Sequence, residues 1–261
     1  MARRLILACL LALLSAAGHA ACDTGLAERM HAKLHPTRAL DHERAVCQPW
    51  RGFAGRFIVV LPLPRASSDP GVTQFDLDVL VVQQADNGNT DRATVVSRLF
   101  EPSAMSEDAV RINEIKVDTA RYILATDARA FGLRIVRQGS SRVNPYSNET
   151  LTLYVPQGPK LARVLDELEM TLERGEWDAN CAGNFETVRG SLSIARSTSH
   201  GWADLHLRQT RTQTRSSAQG EECVTQERPA KFSSQTLRYD GTAYRATKGP
   251  CLLYTSPSPR D

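Results

Sequence analysis

The segment Leu161-Ala-Arg-Val-Leu-Asp-Glu-Leu-Glu-Met-Thr-Leu-Glu-Arg174 decides the fold class. At helical spacing, Leu161, Val164, Leu165, Leu168 and Leu172 form one apolar stripe. At a period of two, Leu168, Met170 and Leu172 alternate with Glu169, Thr171 and Glu173. The flanks break the tie. Thr150 to Val155 before it, and Val188, Leu192 and Ile194 after it, alternate like strands, so the segment is read as a strand.

Working outward, the same texture repeats. Phe57-Ile-Val-Val-Leu-Pro-Leu-Pro64 reads as a strand closed by prolines. In Phe75-Asp-Leu-Asp-Val-Leu-Val-Val82 the apolar residues face one way, and Asp76 and Asp78 face solvent. Asp86-Asn-Gly-Asn-Thr-Asp91 makes a turn, and Ala93 to Phe100 returns. Val110 and Ile112 alternate one step out of phase with Ile115 and Val117, which predicts a β-bulge near Asn113–Glu114. Tyr122 to Ile135 folds as a hairpin over the turn 126–129, and residues 138–148 form a polar loop. Ala203, Leu205 and Leu207 continue the pattern after a Ser-Thr-Ser-His-Gly turn. Asp240-Gly241 between aromatics signals a two-residue hairpin. About twelve short strands without βαβ rhythm predict an all-β antiparallel meander.

A short N-terminal helical segment is the exception. Leu26, Met30 and Leu34 recur at i, i+4 and i+8 until Pro36 stops the turn, and residues 39–46 read as a second helical piece.

Both ends of the chain stand apart. Met1 to Ala20 has a basic start, an apolar run from Leu5 to Leu14 and a small-residue exit, the build of a secretory signal peptide cleaved after Ala20. The apolar run is too short to span a bilayer. Residues 251–261 resemble the conceptual translation of a transposon-type sequencing adapter, which places the true C-terminus beyond Pro250. The expected organisation is therefore signal peptide 1–20, disulfide-clamped helical segment 21–50, β-rich body 51–250 and adapter-derived tail 251–261. Setting both ends aside lowers the formal net charge from +3 to +1. That balance gives no argument for nucleic acid as a partner.

Four cysteines remain: Cys22, Cys47, Cys181 and Cys223. An even set in an exported chain reads as two disulfides. Three pairings are open, and local spacing favours Cys22–Cys47 with Cys181–Cys223. Five lysines against abundant arginine suggest a GC-rich bacterial source. The expected location is the periplasm or outside the cell.

The chemistry-bearing clusters are weak. His31 and His35 have a zinc-ligand spacing, but Pro36 cuts the helix and no Glu lies between them, so they read as surface histidines. Asp76, Asp78 and the acids of residues 86–91 offer oxygen ligands, yet the spacing of a calcium loop fails. Ser199, His200 and Asp204 lie too close in sequence to establish a triad. No catalytic set, metal site or cofactor site is assigned. Arg208-Gln-Thr-Arg-Thr-Gln-Thr-Arg-Ser-Ser217 reads as a two-sided polar edge strand facing a glycan or a protein. Gly175-Glu-Trp-Asp-Ala-Asn-Cys-Ala-Gly-Asn-Phe185 reads as a sheet corner, with Asp178 and Asn180 serving the turn.

Gly201-Trp-Ala-Asp-Leu-His-Leu207 followed by Leu237-Arg-Tyr-Asp-Gly-Thr-Ala-Tyr244 resembles blades of FG-GAP-type β-propellers, without their Asp-x-Asp-x-Asp-Gly calcium loop. The whole chain is also similar to uncharacterised exported proteins of Gram-negative bacteria. The resemblance implies a β-propeller-like body, with a β-sandwich as the other architecture. The expected function is binding of an unknown protein or glycan ligand, with no transmembrane segment in the mature chain. Two alternatives stay open: a secreted hydrolase using acids such as Asp76 and Asp178, and an envelope lipoprotein anchored through Cys22.

Overall fold

The computed structural model describes residues 25–84 and 90–246. Within them lie one α-helix and twelve strands, so the chain is all-β with a short helix. The signal segment, Cys22, residues 85–89 of the expected turn and the adapter-like tail fall outside the described residues. Two units share the chain: one runs up to Ala66 and resumes over Gln74–Met105, the other comprises Ser67–Thr73 and Ser106 onward.

In the first unit, helix α1 (Leu26–Leu34) presents the expected stripe. Leu26 and Met30 are fully buried, each burial contributing about 1.5–3 kcal/mol. They pack with Val59, Leu61 and Leu63 of strand β2 (Arg56–Ala66) and with Leu80 and Val82 of β3 (Thr73–Gln83). The strand order is β1 (Val46–Pro49), β2, β3, β4 (Thr94–Glu107). No second helical piece forms: residues 42–44 make a turn and Val46–Pro49 pairs with β2. Nor do the prolines close β2, which runs on to Ala66. Its partner β1 begins at Val46, opposite Val60, so Pro62 and Pro64 lie past the end of that ladder and their missing N–H groups break no β1 bond.

The acids of β3 do not face solvent. Asp78 is fully buried and Asp76 nearly so. The strand is buried continuously from Phe75 to Val82, because the N-terminal segment covers its second face. Alternation between apolar and acidic residues therefore did not mark a wet side.

The second unit is a meander in which β5 (Val110–Ile123), β6 (Arg129–Gly139), β7 (Tyr146–Gln157), β8 (Lys160–Trp177), β9 (Gly183–Ser199), β10 (Trp202–Gln219), β11 (Glu222–Tyr239) and β12 (Tyr244–Ala246) each pair with the next. The ladder is continuous from β5 to β12. The two quoted propeller-like stretches meet: Leu205 pairs with Leu237, and the Tyr244 hydroxyl donates to the Ala203 carbonyl at 2.7 Å. The expected bulge is present, since the β5–β6 register shifts between Ile112 and Glu114.

The deciding segment is a strand, and its helix-like spacing has a specific cause. Tyr154 pairs with Arg163 but Leu153 with Leu165; Leu151 pairs with Leu168; Thr150 pairs with Glu169 but Glu149 with Thr171. Over the five β7 steps from Tyr154 to Glu149, β8 therefore inserts three extra residues. Each bulge displaces the burial phase, which moves from Leu165 to Met170 and Leu172. Glu167 sits at φ 38° within this stretch.

Leu151, Leu153, Val155, Val164, Leu165 and Met170 share a core with Leu205, Leu207, Leu237, Tyr239 and Tyr244. Trp202 stacks on Tyr239 at 4.2 Å. Beyond that core the strands are long and wet. No residue of β10 after Leu207 is buried, and residues 225–235 of β11 are all exposed. The 208–217 run is polar on both sides as expected, but it is not an edge: it pairs with β9 on one side and β11 on the other. Residues 222–236 of β11 form the outer strand there. The Asp240-Gly241 connection is a four-residue loop, with Asp240 N–H bonded to the Ala243 carbonyl at 3.0 Å. Two-residue connections lie elsewhere, among them His200-Gly201 between β9 and β10, with φ of 49° and 81°, positive at both positions as a type I′ turn requires.

Cys181 and Cys223 are bridged, with Cα atoms 5.6 Å apart. Cys181 lies in the β8–β9 turn and Cys223 at the start of β11, so the bridge staples two hairpin tips. Cys47 is buried in β1. Replacing Cys181 and Cys223 together by Ser is expected to lower stability by up to roughly 4 kcal/mol, the chain-entropy value for a loop of this length. Urea unfolding, with amide exchange read separately at the tip and in the core, checks it: protection is lost first at residues 215–226.

Candidate functional site

Two polar constellations stand out, one in each unit. In the first, Asp78 on β3 is the hub. His35, which ends α1, lies with Nε2 2.7 Å from Asp78 Oδ2. Arg98 of β4 donates Nε to Asp78 Oδ1 at 2.9 Å and lies with Nη2 2.8 Å from Oδ2. Arg98 Nη2 also approaches His35 Nε2 at 3.3 Å. An ionised carboxylate can only accept, so in the contact with Asp78 it is His35 Nε2 that donates, and Arg98 Nη2 beside it spends its hydrogens on the carboxylate. Phe100 packs against the His35 ring at 5.7 Å.

Two residues along β3, Asp76 accepts from Arg38 Nη1 at 2.8 Å, Arg65 Nη1 at 3.3 Å and the Ser103 backbone N–H at 2.7 Å. Burial acts to raise its pKa, but the Ser103 N–H and the two guanidinium groups outweigh it and hold the carboxyl below the usual range. Ser103 has φ 51°, a conformation a serine rarely adopts, and the carboxylate holds its N–H there. This cluster fastens the N-terminal segment to the sheet.

His31 and His35 therefore do not read as a ligand pair or as free surface histidines: His31 Nε2 donates to the Arg38 carbonyl at 2.9 Å. Asp91 pairs with Arg29. Asp204 accepts from Ser197 Oγ at 2.7 Å, and no hydrogen bond joins it to Ser199 or His200 among the described residues. Asp178 is an exposed turn residue whose carboxylate takes the N–H groups of Asn180 and Cys181 at 2.9 and 2.8 Å. It belongs to the second unit and Asp76 to the first. Among the described residues, no group of three or more His, Cys, Asp or Glu side chains is placed to hold a metal ion. No helix there is long and apolar enough to cross a membrane.

The second constellation lies on the long strands of the second unit. Direct pairing places Arg174, Glu186, Gln213 and Arg228 in one row across β8, β9, β10 and β11. Glu186 is its centre. It accepts from Arg174 Nε at 2.8 Å, Arg211 Nη1 at 2.6 Å and Gln213 Nε2 at 3.2 Å. Arg228 Nη1 donates to the other end of the Gln213 amide at 3.4 Å. Burial would raise the Glu186 pKa, but Arg174, Gln213 and Arg211 overcome it and keep the carboxyl below the ordinary glutamate range.

Depressions open beside these strands. One of about 450 Å³ is lined by Arg215, Arg228, Asn184 and Thr214 as well as by the row itself. Another of about 380 Å³ opens on the opposite face of the sheet, beside Phe185, Glu173 and Thr187, and reaches Ser141 and Pro145 in the 140–145 connection. The Phe185 ring is fixed by two glycines. A Cβ on Gly183 would come within 2.8 Å of that ring, and one on Gly175 within 2.9 Å of the Asn184 carbonyl. Both positions must stay without a side chain.

The polar stretch 138–148 is a loop only over residues 140–145, because its ends pair as parts of β6 and β7; the sequence points to it and to the 208–217 strand but not to Arg174, Glu186 and Arg228, whose meeting depends on register. No known protein family, curated protein or solved structure matches the chain.

Two outcomes follow. Asp78→Asn leaves Arg98 without its buried carboxylate and is expected to cost about 3 kcal/mol, read by urea unfolding. Glu186 has a depressed folded-state pKa, so its stabilisation is present above the unfolded value and is lost as pH falls through the folded one. Glu186→Gln should therefore be less stable than wild type at pH 7, with the difference vanishing in strong acid. Denaturation curves at pH 7 and pH 2 check the sign.

Proposed function

We propose that this is an exported binding protein that holds its ligand on the polar face of β8–β11, over the Arg174–Glu186–Gln213–Arg228 row. The observation that carries the reading is that row. Four polar side chains from four strands are interlocked by hydrogen bonds beside one depression, on strands that extend past the core. A surface with no core to build has its side-chain order to spare for recognition. The reading of export rests on the signal-like first twenty residues and gains support from the Cys181–Cys223 bridge, since such bridges persist in oxidising compartments.

The hydrolase reading draws less support. Asp76 and Asp178 sit in separate units, and each carboxylate is already engaged in holding backbone N–H groups. The lipoprotein reading turns on Cys22, which lies outside the described residues.

The test is a panel of oligosaccharides and peptides offered to the wild-type protein and to Arg174→Gln/Arg211→Gln. Expected is at least one ligand whose affinity falls tenfold or more in the variant. The proposal is overturned if every bound ligand is indifferent to that variant. It is equally overturned if ester, peptide or glycoside turnover is detected and disappears in Asp76→Asn or Asp178→Asn.

A further inference from the structure

We infer that the face of β8–β11 turned away from the Glu186 side chain is a second binding surface, which takes an uncharged, β-linked polysaccharide along a diagonal of aromatic rings. Directly paired residues send their side chains to the same face of a sheet, and neighbours along a strand to opposite faces. Register therefore places Trp177, opposite Gly183, and Phe185, opposite Gly175 and Thr214, on one face. Phe232, opposite Thr210, lies there too. One strand over and two residues toward the core lead from Trp177 to Phe185. The same step leads on to Thr212, and once more to Phe232. With strands about 4.8 Å apart and a rise of about 3.4 Å per residue, that diagonal is roughly 25 Å long.

The rings are set for stacking. Cδ1 and Cε1 of Phe185 fill the space that a side chain on Gly175 would take, and Cε2 and Cζ fill that of Gly183. Two edges of the ring thus rest on two strands, so the ring lies flat on the backbone. Its negative face meets the C–H groups of a ligand laid over it. Trp177 is half-buried, and its indole N–H has no hydrogen-bond partner among the described residues. The 140–145 connection frames both rings: the Trp177 N–H donates to the Val143 carbonyl at 2.8 Å and the Gly175 N–H to the Pro145 carbonyl at 3.0 Å. Phe232 is 79% exposed.

Hydroxyls surround this apolar line. Thr187, Thr212 and Thr214 share the face, and no hydrogen bond engages their side chains among the described residues. Ser147 and Gln138 line the 380 Å³ depression beside Phe185. In a chain of β-linked hexopyranoses the ring faces carry C–H groups and the hydroxyls lie at the rim. Aromatic platforms bordered by threonine hydroxyls match both, and a few placed polar groups around an apolar floor are the usual make-up of such sites.

Charge decides against anionic ligands. Glu173 pairs with Arg189 on this face at 3.7 Å, and Glu227 lies opposite Thr214, next to Phe185. A nucleic-acid strand could stack on the rings but would set its phosphates against those carboxylates. An extended peptide needs an open strand edge, and the 140–145 connection already takes the β8 edge beside Trp177.

The experiment is a nuclear magnetic resonance titration of the full chain with cellohexaose, cellobiose and hexagalacturonate. It reads the Trp177 indole N–H and the Phe185 and Phe232 ring signals. Expected is that cellohexaose moves all three and that hexagalacturonate binds at least tenfold more weakly. Trp177→Ala should lower cellohexaose affinity tenfold or more while the amide spectrum of the core stays unchanged. Phe232→Ala, at an exposed position where folding is not at stake, should lower it at least threefold. Cellobiose, too short to span the diagonal, should move the Trp177 signal equally in wild type and Phe232→Ala. Arg174→Gln/Arg211→Gln, on the other face, should bind cellohexaose like wild type; a tenfold loss there assigns the sugar to the Glu186 face and overturns the inference. It is also overturned if cellohexaose moves none of the three signals, if hexagalacturonate binds as tightly, or if Trp177→Ala and Phe232→Ala bind like wild type. Ring signals that move with protein concentration alone would mean that a second copy covers the rings, and overturn it too.

Discussion

Cross-strand backbone hydrogen bonding between β8, β9, β10 and β11 continues for several residues beyond the apolar core that these strands share. Strands of seventeen or eighteen residues outrun what the core can cover. Past Leu172 and Leu207, pairing, side-chain ion pairs and one disulfide hold the sheet together. Everything singled out as a binding surface depends on that extension, because only a ladder kept in register places Arg174, Glu186, Gln213 and Arg228 in one line. Glu186 has a double part here. It links three strands through its acceptors, and it neutralises two arginines that would otherwise repel each other.

The first unit solves a different problem. Its sheet must accept a helix of nine residues, too short to be stable by itself. Apolar contact through Leu26 and Met30 supplies part of the attachment, and the Asp76 and Asp78 clusters supply direction. Buried ion pairs contribute little net stability compared with apolar replacements, but breaking one partner is costly. They therefore discriminate strongly against a misplaced segment: a shift of α1 along β3 would leave two buried carboxylates without His35 and Arg38.

Much of this was legible in the sequence, and the failures are instructive. Alternation identified the strands, and the phase slip at Ile112 located a bulge. The same logic nearly failed at residues 161–174, where three inserted residues imitate a helical period. Alternation also misplaced Asp76 and Asp78, since a period of two says that two faces differ and does not say that one is wet. The 208–217 run was correctly seen as polar on both sides, but a polar strand can be central when the sheet itself is solvated. The Arg174–Glu186–Arg228 meeting was not legible at all, because three residues distant in sequence become neighbours only through register. The stretch from Gly175 to Phe185 was taken for a corner. It is one, with Asp178 closing the turn, and Phe185 with its two glycines lies on the face opposite the Glu186 side chain.

The staple between the two hairpin tips has a geometric consequence. Two-stranded ribbons twist more strongly than wider sheets, and the β9–β10 pairing ends at Gly183–Ser216, so the short hairpin tips beyond that pair, left to themselves, would coil apart. Joining Cys181 to Cys223 makes them share one pitch up to the tip. The ladder sets the pitch along the row, and the bond carries that pitch to the end of the sheet. Cutting it would let the tips twist independently without removing a single side chain from the face.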